Sequence, residues 1–123
     1  MFKNKEIFII AEVGQNHQGD VNLALDYIRT FADAGADAVK FQTRNNKYLF
    51  SEEAYNADYN SENAFAKSYG EHREKLELSP DEIVLLIEEC KKYKVDFMST
   101  PFDEPSLELL VSLGVNLFKI ASF

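Results

Sequence analysis

The sequence predicts an α/β protein built on a parallel sheet. Three observations lead there. Short apolar, β-branched runs alternate with stretches of helical periodicity, in the order βα four times over, short of a last helix. The first run, Ile7–Val13, is almost continuously apolar, as a strand buried on both faces of a parallel sheet reads. Polar residues recur towards the carboxyl end of each strand-like run: Glu12, then Lys40 and Gln42, then Ser99 and Thr100, then Lys119 and Ser122. Those ends share one face of a parallel sheet, where α/β proteins hold their ligands.

The elements follow in order. After Ile7–Val13, with Glu12 at its end, comes the polar loop Gly14-Gln15-Asn16-His17-Gln18-Gly19, whose glycines allow unusual backbone angles. Asp20 is placed to cap a helix. Val21, Ala24, Leu25, Ile28, Phe31 and Ala32 keep helical spacing, and Gly35 ends it. Ala38–Thr43 alternates Val39 and Phe41 with Lys40 and Gln42 and completes a βαβ unit, with a right-handed crossover expected. A lysine just after Ala34-Gly35-Ala36 is costly to desolvate without a partner. Lys40 and Gln42 therefore read as a cation and an amide aimed at a small anionic or polar ligand. The alternative at this stretch is an edge strand with a solvated lysine.

Residues 44–78 are long for a βα connection. Tyr48, Phe50, Tyr55, Tyr59, Phe65 and Tyr69 argue against plain disorder, so an ordered excursion with short helical pieces over the ligand face is expected. Ser79-Pro80-Asp81-Glu82 is a helix start with a capping box. Ile83, Leu86, Ile87 and Cys90 form its buried stripe. Lys91, Lys92 and Lys94 sit where the macrodipole favours cations. Cys90 reads as a core residue, not a nucleophile. Val95–Ser99 is the third strand, running into Thr100-Pro101-Phe102. A helix from Pro105 points Leu107, Leu110 and Val111 inward, and Val115–Ser122 is the fourth strand.

Composition bounds the function. The 123 residues carry 21 acidic and 13 basic side chains, a net charge of -8, which argues against nucleic acid and anionic membrane surfaces. The single cysteine excludes an intrachain disulfide and a cysteine metal cluster and fits the cytoplasm. Residues 1–6 are too short and charged for a signal peptide, and no apolar run reaches the ~18 residues that span a bilayer. Two lysines, two or three hydroxyls and one carboxylate at the strand ends suit a small dianion with one acid/base group. The alternative is that parallel sheets simply have polar rims.

These motifs resemble the sialic acid synthase family, which includes N-acetylneuraminate, legionaminate and pseudaminate synthases. The resemblance is carried by Ile9-Ile10-Ala11-Glu12-Val13-Gly14 with Asn16-His17 and Gly19, by Gly35-Ala36-Asp37-Ala38-Val39-Lys40-Phe41-Gln42-Thr43, and by Lys75-Leu76-Glu77-Leu78-Ser79. Ser99-Thr100-Pro101-Phe102-Asp103 and Phe118-Lys119-Ile120-Ala121-Ser122 complete it, from about residue 7 onward. It implies a TIM-type (β/α)8 barrel of which residues 1–123 supply about the first four β/α units, a half barrel. It also implies condensation of phosphoenolpyruvate with an N-acetylated hexosamine to a nine-carbon 2-keto sugar acid and phosphate, with a divalent cation, manganese or magnesium.

By that resemblance Lys40, Thr100, Lys119 and Ser122 would hold the phosphate and carboxylate of phosphoenolpyruvate. Gln42 would orient the ligands, and Glu12 would act as the catalytic group near the aldehyde or the attacking water. The family's metal-binding histidines come from later strands, so no metal is assigned to His17, His72 or any other residue here. Phe123 stands where the family often has Gly. Two other readings stay open: a truncated, non-catalytic fragment that keeps an anion site, and another phosphate-handling barrel such as a 3-deoxy-heptulosonate-type synthase or an aldolase. A half barrel exposes its first and fourth strands, so self-association through those edges is expected.

Overall fold

The computed structural model describes residues 7–122. The signal-peptide reading of residues 1–6 and the family position at Phe123 lie outside them. Three parallel strands, β1 (Ile10–Gly14), β2 (Ala38–Thr43) and β3 (Asp96–Pro101), form a sheet in the order β1-β2-β3. Helix α1 (Val21–Asp33) connects the first two. Between β2 and β3 run α2 (Asn46–Leu49), α3 (Glu52–Asn56), α4 (Tyr69–Lys75) and α5 (Pro80–Lys92), and α6 (Glu104–Ser112) follows β3.

The helices form where the sequence places their caps. The Asp20 side chain accepts from the backbone N–H groups of Asn22 and Leu23. Ser79 and Glu82 make the reciprocal capping box of α5, at 3.2 and 2.8 Å. One sheet face carries Val13, Val39 and Phe41, which pack with Ala24 and Ile28 of α1 and Leu86 and Cys90 of α5. Phe41 stacks on Phe97 at 5.5 Å between ring centroids. A smaller cluster joins Ile83, Leu110 and Val115. Burial pushes the Cys90 thiol up to about 12, as befits an inert core residue.

Several sequence expectations are corrected. The first strand begins at Ile10, not Ile7: the Ile9 carbonyl accepts from Asp37 and Ala38, and its N–H donates to the Asp37 carboxylate, so side-chain pairing precedes the ladder. It is an edge strand exposing Ile10, with Ile9 just before it exposed as well, so it is not buried on both faces. Glu12 lies mid-strand opposite Lys40, and a bulge between Glu12 and Gly14 ends the pairing. The segment 115–122 is not a regular fourth strand. It touches β3 through one parallel bridge, Ser99 to Phe118, with the Lys119 N–H donating to the Ser99 carbonyl. Of the α6 residues expected inward, Leu110 is buried while Leu107 and Val111 are exposed, because only one side of that helix meets the sheet.

The excursion is ordered. Short helices α2, α3 and α4 are each capped by a side chain, from Asn45, Ser51 and Ser68. Gly70 of α4 lies against the Tyr55 ring so closely that an added Cβ would sit 2.2 Å from it. The aromatics gather in one cluster, with Tyr69 edge-on to Phe50 and Tyr59, and His72 against Tyr59 and Phe65.

Candidate functional site

The alternation of β2 puts Lys40 and Gln42 on the face opposite the helices. Parallel register sets Lys40 between Glu12 and Met98, and Gln42 beside Thr100. The structure therefore brings four of the six expected residues together. Lys40 Nζ forms an ion pair with Glu12 Oε2 at 2.5 Å and lies 3.5 Å from Thr100 Oγ1. Gln42 Nε2 lies 3.5 Å from Glu12 Oε1. Lys40 is thus neither bare nor fully solvated: it has a carboxylate partner on the neighbouring strand and a hydroxyl on the other. Behind this face, Thr43 and Ser99 share a buried 2.8 Å hydroxyl hydrogen bond, so the Ser99 hydroxyl is turned towards the helices.

The other two expected residues form a separate pair. Lys119 Nζ donates to Ser122 Oγ at 3.4 Å on the segment beside β3. Next to it an apolar cleft of about 530 Å³ is lined by Phe102, Leu107, Phe118 and Ile120 as well as Lys119.

Sequence reasoning missed a second layer of polar residues. Arg44 continues the Lys40, Gln42 alternation by one more step, which is the signal that could have found it. Its guanidinium donates to Gln42 Oε1 at 2.8 Å and lies over the Phe102 ring at 3.6 Å. Burial, then the nearby Arg73, lowers its pKa from the ordinary arginine value. Glu77 of the excursion accepts from Gln15 Nε2 and from the Arg44 backbone N–H, while Gln15 Oε1 accepts from Arg73. Burial pushes the Glu77 carboxyl up to about 7, opposed by the Arg44 hydrogen bond and charge. Glu77 lies within the motif Lys75-Leu76-Glu77-Leu78-Ser79, which is the signal that could have found it, but no periodicity points it at the strand ends because an irregular segment brings it in.

Two polar clefts flank these strand ends. One of about 600 Å³ has Gln15, Asn16 and Gln42 on the strand side and Tyr59, Phe65 and His72 on the excursion side. The other, about 570 Å³, has Arg44, Asn46 and Glu77 in its wall. Both histidines are held as hydrogen-bond acceptors, His17 Nδ1 from Gly19 and His72 Nδ1 from Phe65, and burial lowers both pKa values. Gly19 is needed there: its φ is +77°, and an added Cβ would lie 2.0 Å from the Lys75 carbonyl oxygen. Among the described residues no group of three or more His, Cys, Asp or Glu side chains is placed to hold a metal ion. Nor is any described helix long and apolar enough to cross a membrane.

The chemistry available is the neutralisation of a small anion by Lys40 with hydroxyl and amide donors, next to a carboxylate that can exchange a proton. Residues 27–123 match the model of the NeuB family. The chain is 44% identical over 116 residues to an N-acetylneuraminate-9-phosphate synthase of Drosophila melanogaster, covering 94% of this chain and 31% of that protein. It is likewise 44% identical over 116 residues to an N,N'-diacetyllegionaminic acid synthase of Legionella pneumophila, covering 94% of this chain and 33% of that one. The chain thus spans about a third of the length of these curated relatives. Among solved structures, an N-acetylneuraminic acid synthetase of Leptospira borgpetersenii in complex with citrate matches with a TM-score of 0.75 at 38% identity, over 95% of this chain and 36% of that one. A spore coat polysaccharide biosynthesis protein, SpsE of Bacillus subtilis, matches with a TM-score of 0.67 at 37% identity, over 98% and 30%.

Proposed function

The chain belongs to the NeuB family, and we propose that the protein it forms part of condenses phosphoenolpyruvate with an N-acetylated hexosamine, giving a nine-carbon 2-keto sugar acid and phosphate. The relatives of Drosophila melanogaster, Legionella pneumophila and Leptospira borgpetersenii named above are sugar-acid synthases, which supports the reaction class. The observation that carries the reading further is the cluster of Glu12, Lys40, Gln42 and Thr100 on one face of three parallel strands.

In this reading Lys40 and Thr100 bind the phosphate and carboxylate of phosphoenolpyruvate. Lys119 and Ser122 join them from the segment beside β3. Charge-assisted contacts of this kind neutralise a dianion and hold it for attack. Gln42, bonded to both Glu12 and Arg44, orients the ligands. Glu12 exchanges a proton with the aldehyde oxygen or the attacking water. The divalent cation that the resemblance implies finds no ligand set among the described residues, so none of these steps runs through it.

The same reading takes the sheet as the first part of a (β/α)8 barrel, with residues 44–78 over its ligand face. It makes the protein a cytoplasmic enzyme, consistent with one buried cysteine and an acidic composition. The 123 residues by themselves form an anion site that turns nothing over.

The test is phosphate release by the full-length protein given phosphoenolpyruvate, N-acetylmannosamine and manganese, with the sugar acid identified by mass. Release that needs both organic substrates is the expected result. Release independent of the sugar, or none with any N-acetylated hexosamine, would overturn the reading.

A further inference from the structure

We propose that Glu77 is a positioning residue for this site: its ionised carboxylate clamps the loop after β1 to the end of β2 and releases that clamp when protonated. The inference rests on the functional reading above and concerns the regulation of the same site.

Hydrogen-bond polarity decides what can stand at position 77. Arg73 can only donate, so Gln15 Oε1, 2.8 Å away, is the acceptor and Gln15 presents its amide N–H to Glu77 Oε1 at 3.0 Å. The Arg44 backbone N–H donates to Glu77 Oε2 at 3.2 Å. Both groups facing Glu77 are therefore donors, and only a group with two acceptor atoms satisfies them. A glutamine side chain turns its NH2 towards one of these donors and loses that bond whichever way it rotates, while a protonated carboxyl meets one of them with its hydroxyl oxygen, an acceptor weaker than a carboxylate oxygen, and so slackens the clamp.

Those bonds lead into the site. Arg44 Nη1 donates to Gln42 Oε1, Gln42 Nε2 reaches Glu12, and Glu12 holds Lys40. Glu77 thus fixes, from an irregular segment, the residue that anchors Gln42. Gln15 and Gln42 also line the 600 Å³ cleft beneath the excursion, so a slack clamp loosens that wall.

The groups around Glu77 set where it titrates. Arg44 favours the charged form. Burial, Glu74 on α4 and Asp103 at the cap of α6 oppose it, with burial the largest effect, and the carboxyl is pushed up to about 7. Arg73 stands two hydrogen bonds away, through Gln15. Glu77 lies in the wall of the 570 Å³ cleft, which gives its proton a path to solvent. The clamp is therefore made above neutrality and undone below it.

The experiment compares the full-length wild type with Glu77→Gln and Glu77→Asp across pH 5.5–8.5, reading kcat/KM and melting temperature. In the wild type kcat/KM rises through a limb near pH 7. Glu77→Gln lacks that limb and is lower by about tenfold at pH 8, the effect of one charge-assisted hydrogen bond. Its melting temperature at pH 8 is no lower than that of the wild type. Glu77→Asp keeps the limb and restores part of the rate.

A Glu77→Gln profile that superimposes on the wild type overturns the proposal. So does an equal loss at every pH accompanied by a lower melting temperature, which would make Glu77 merely structural. If the wild type makes no product, the functional reading fails, and the clamp is judged on the same protein labelled with 15N-glutamine. The Gln15 side-chain amide must then titrate near pH 7 in the wild type and not in Glu77→Gln; an amide insensitive to pH overturns the clamp by itself.

Discussion

At the scale of single residues, the site is governed by what each charge faces. Lys40 is half enclosed between a carboxylate and a hydroxyl, so an incoming anion adds to an existing charge pattern. Lys40→Ala is expected to raise the KM for phosphoenolpyruvate more than that for the sugar, by a factor corresponding to ~1.5–3 kcal/mol for a lost charge-assisted contact. Steady-state kinetics of the full-length protein checks this, and an unchanged phosphoenolpyruvate KM refutes the assignment. Glu12→Gln keeps the shape and one acceptor for Gln42 but gives up the Lys40 ion pair and cannot exchange a proton, so turnover at saturating substrate falls more than phosphoenolpyruvate binding does. Single-turnover measurement decides it.

Glu77 adds a stability signature with a definite sign. Its carboxyl titrates at about 7 when folded, against 4.5 ordinarily, so the unfolded chain loses the proton first as pH rises. Its contribution is fully present below 4.5 and is lost as pH climbs to about 7, a cost on the order of 3 kcal/mol. Urea unfolding at pH 5 and pH 8 should show that slope in the wild type and a flatter one in Glu77→Gln. An identical slope in both removes Glu77 as its source.

At the scale of elements, the excursion is the part whose order depends on packing instead of regular ladders. Its helices run four, five and seven residues, too short to persist in isolation. They hold through caps and through the aromatic cluster on which α4 rests. Gly70→Ala pushes a methyl group into the Tyr55 ring, and overpacking of this kind costs about 1–3 kcal/mol. The expected result is a lower melting temperature and weaker sugar binding, with phosphoenolpyruvate binding largely kept, read by calorimetric titration of each ligand. Equal losses for both ligands would show that the excursion supports the whole strand-end face and not one side of it.

At the scale of the whole molecule, the sheet has two open flanks. β1 is an edge strand with Ile10 exposed, Ile7 and Ile9 before it are exposed too, Ile7 at 73%, and Ile120 on the segment beside β3 is 86% exposed. Unpaired backbone beside exposed isoleucine invites another strand. The 123-residue chain by itself is therefore expected to self-associate, with β1 of one copy against the 115–122 segment of another. Light scattering at several concentrations measures this, and a monodisperse monomer of 123 residues refutes it.

The amino-acid order by itself determined the local and periodic features. The caps at Asp20 and Ser79, the stripe of α5 (Ile83, Leu86 and Cys90 buried, Ile87 partly so) and the alternation that sets Lys40 and Gln42 on one face all depend on neighbours within a few residues, and all formed. The family motifs were legible for the same reason, since each is a contiguous run. What only the tertiary structure decided is which distant groups meet. Glu12 pairs with Lys40 because parallel register sets them side by side, and Glu77 reaches Gln15 and Arg44 because an irregular excursion folds back over the strand ends. The strand assigned to 115–122 reduced to one bridge, because a ladder needs a partner along its length and apolar residues do not supply one. Glu77 itself lies in the motif Lys75-Leu76-Glu77-Leu78-Ser79, but hydrogen-bond partners 33 and 62 residues apart leave no periodic trace, so its meeting with Arg44 and Gln15 came only from the tertiary structure.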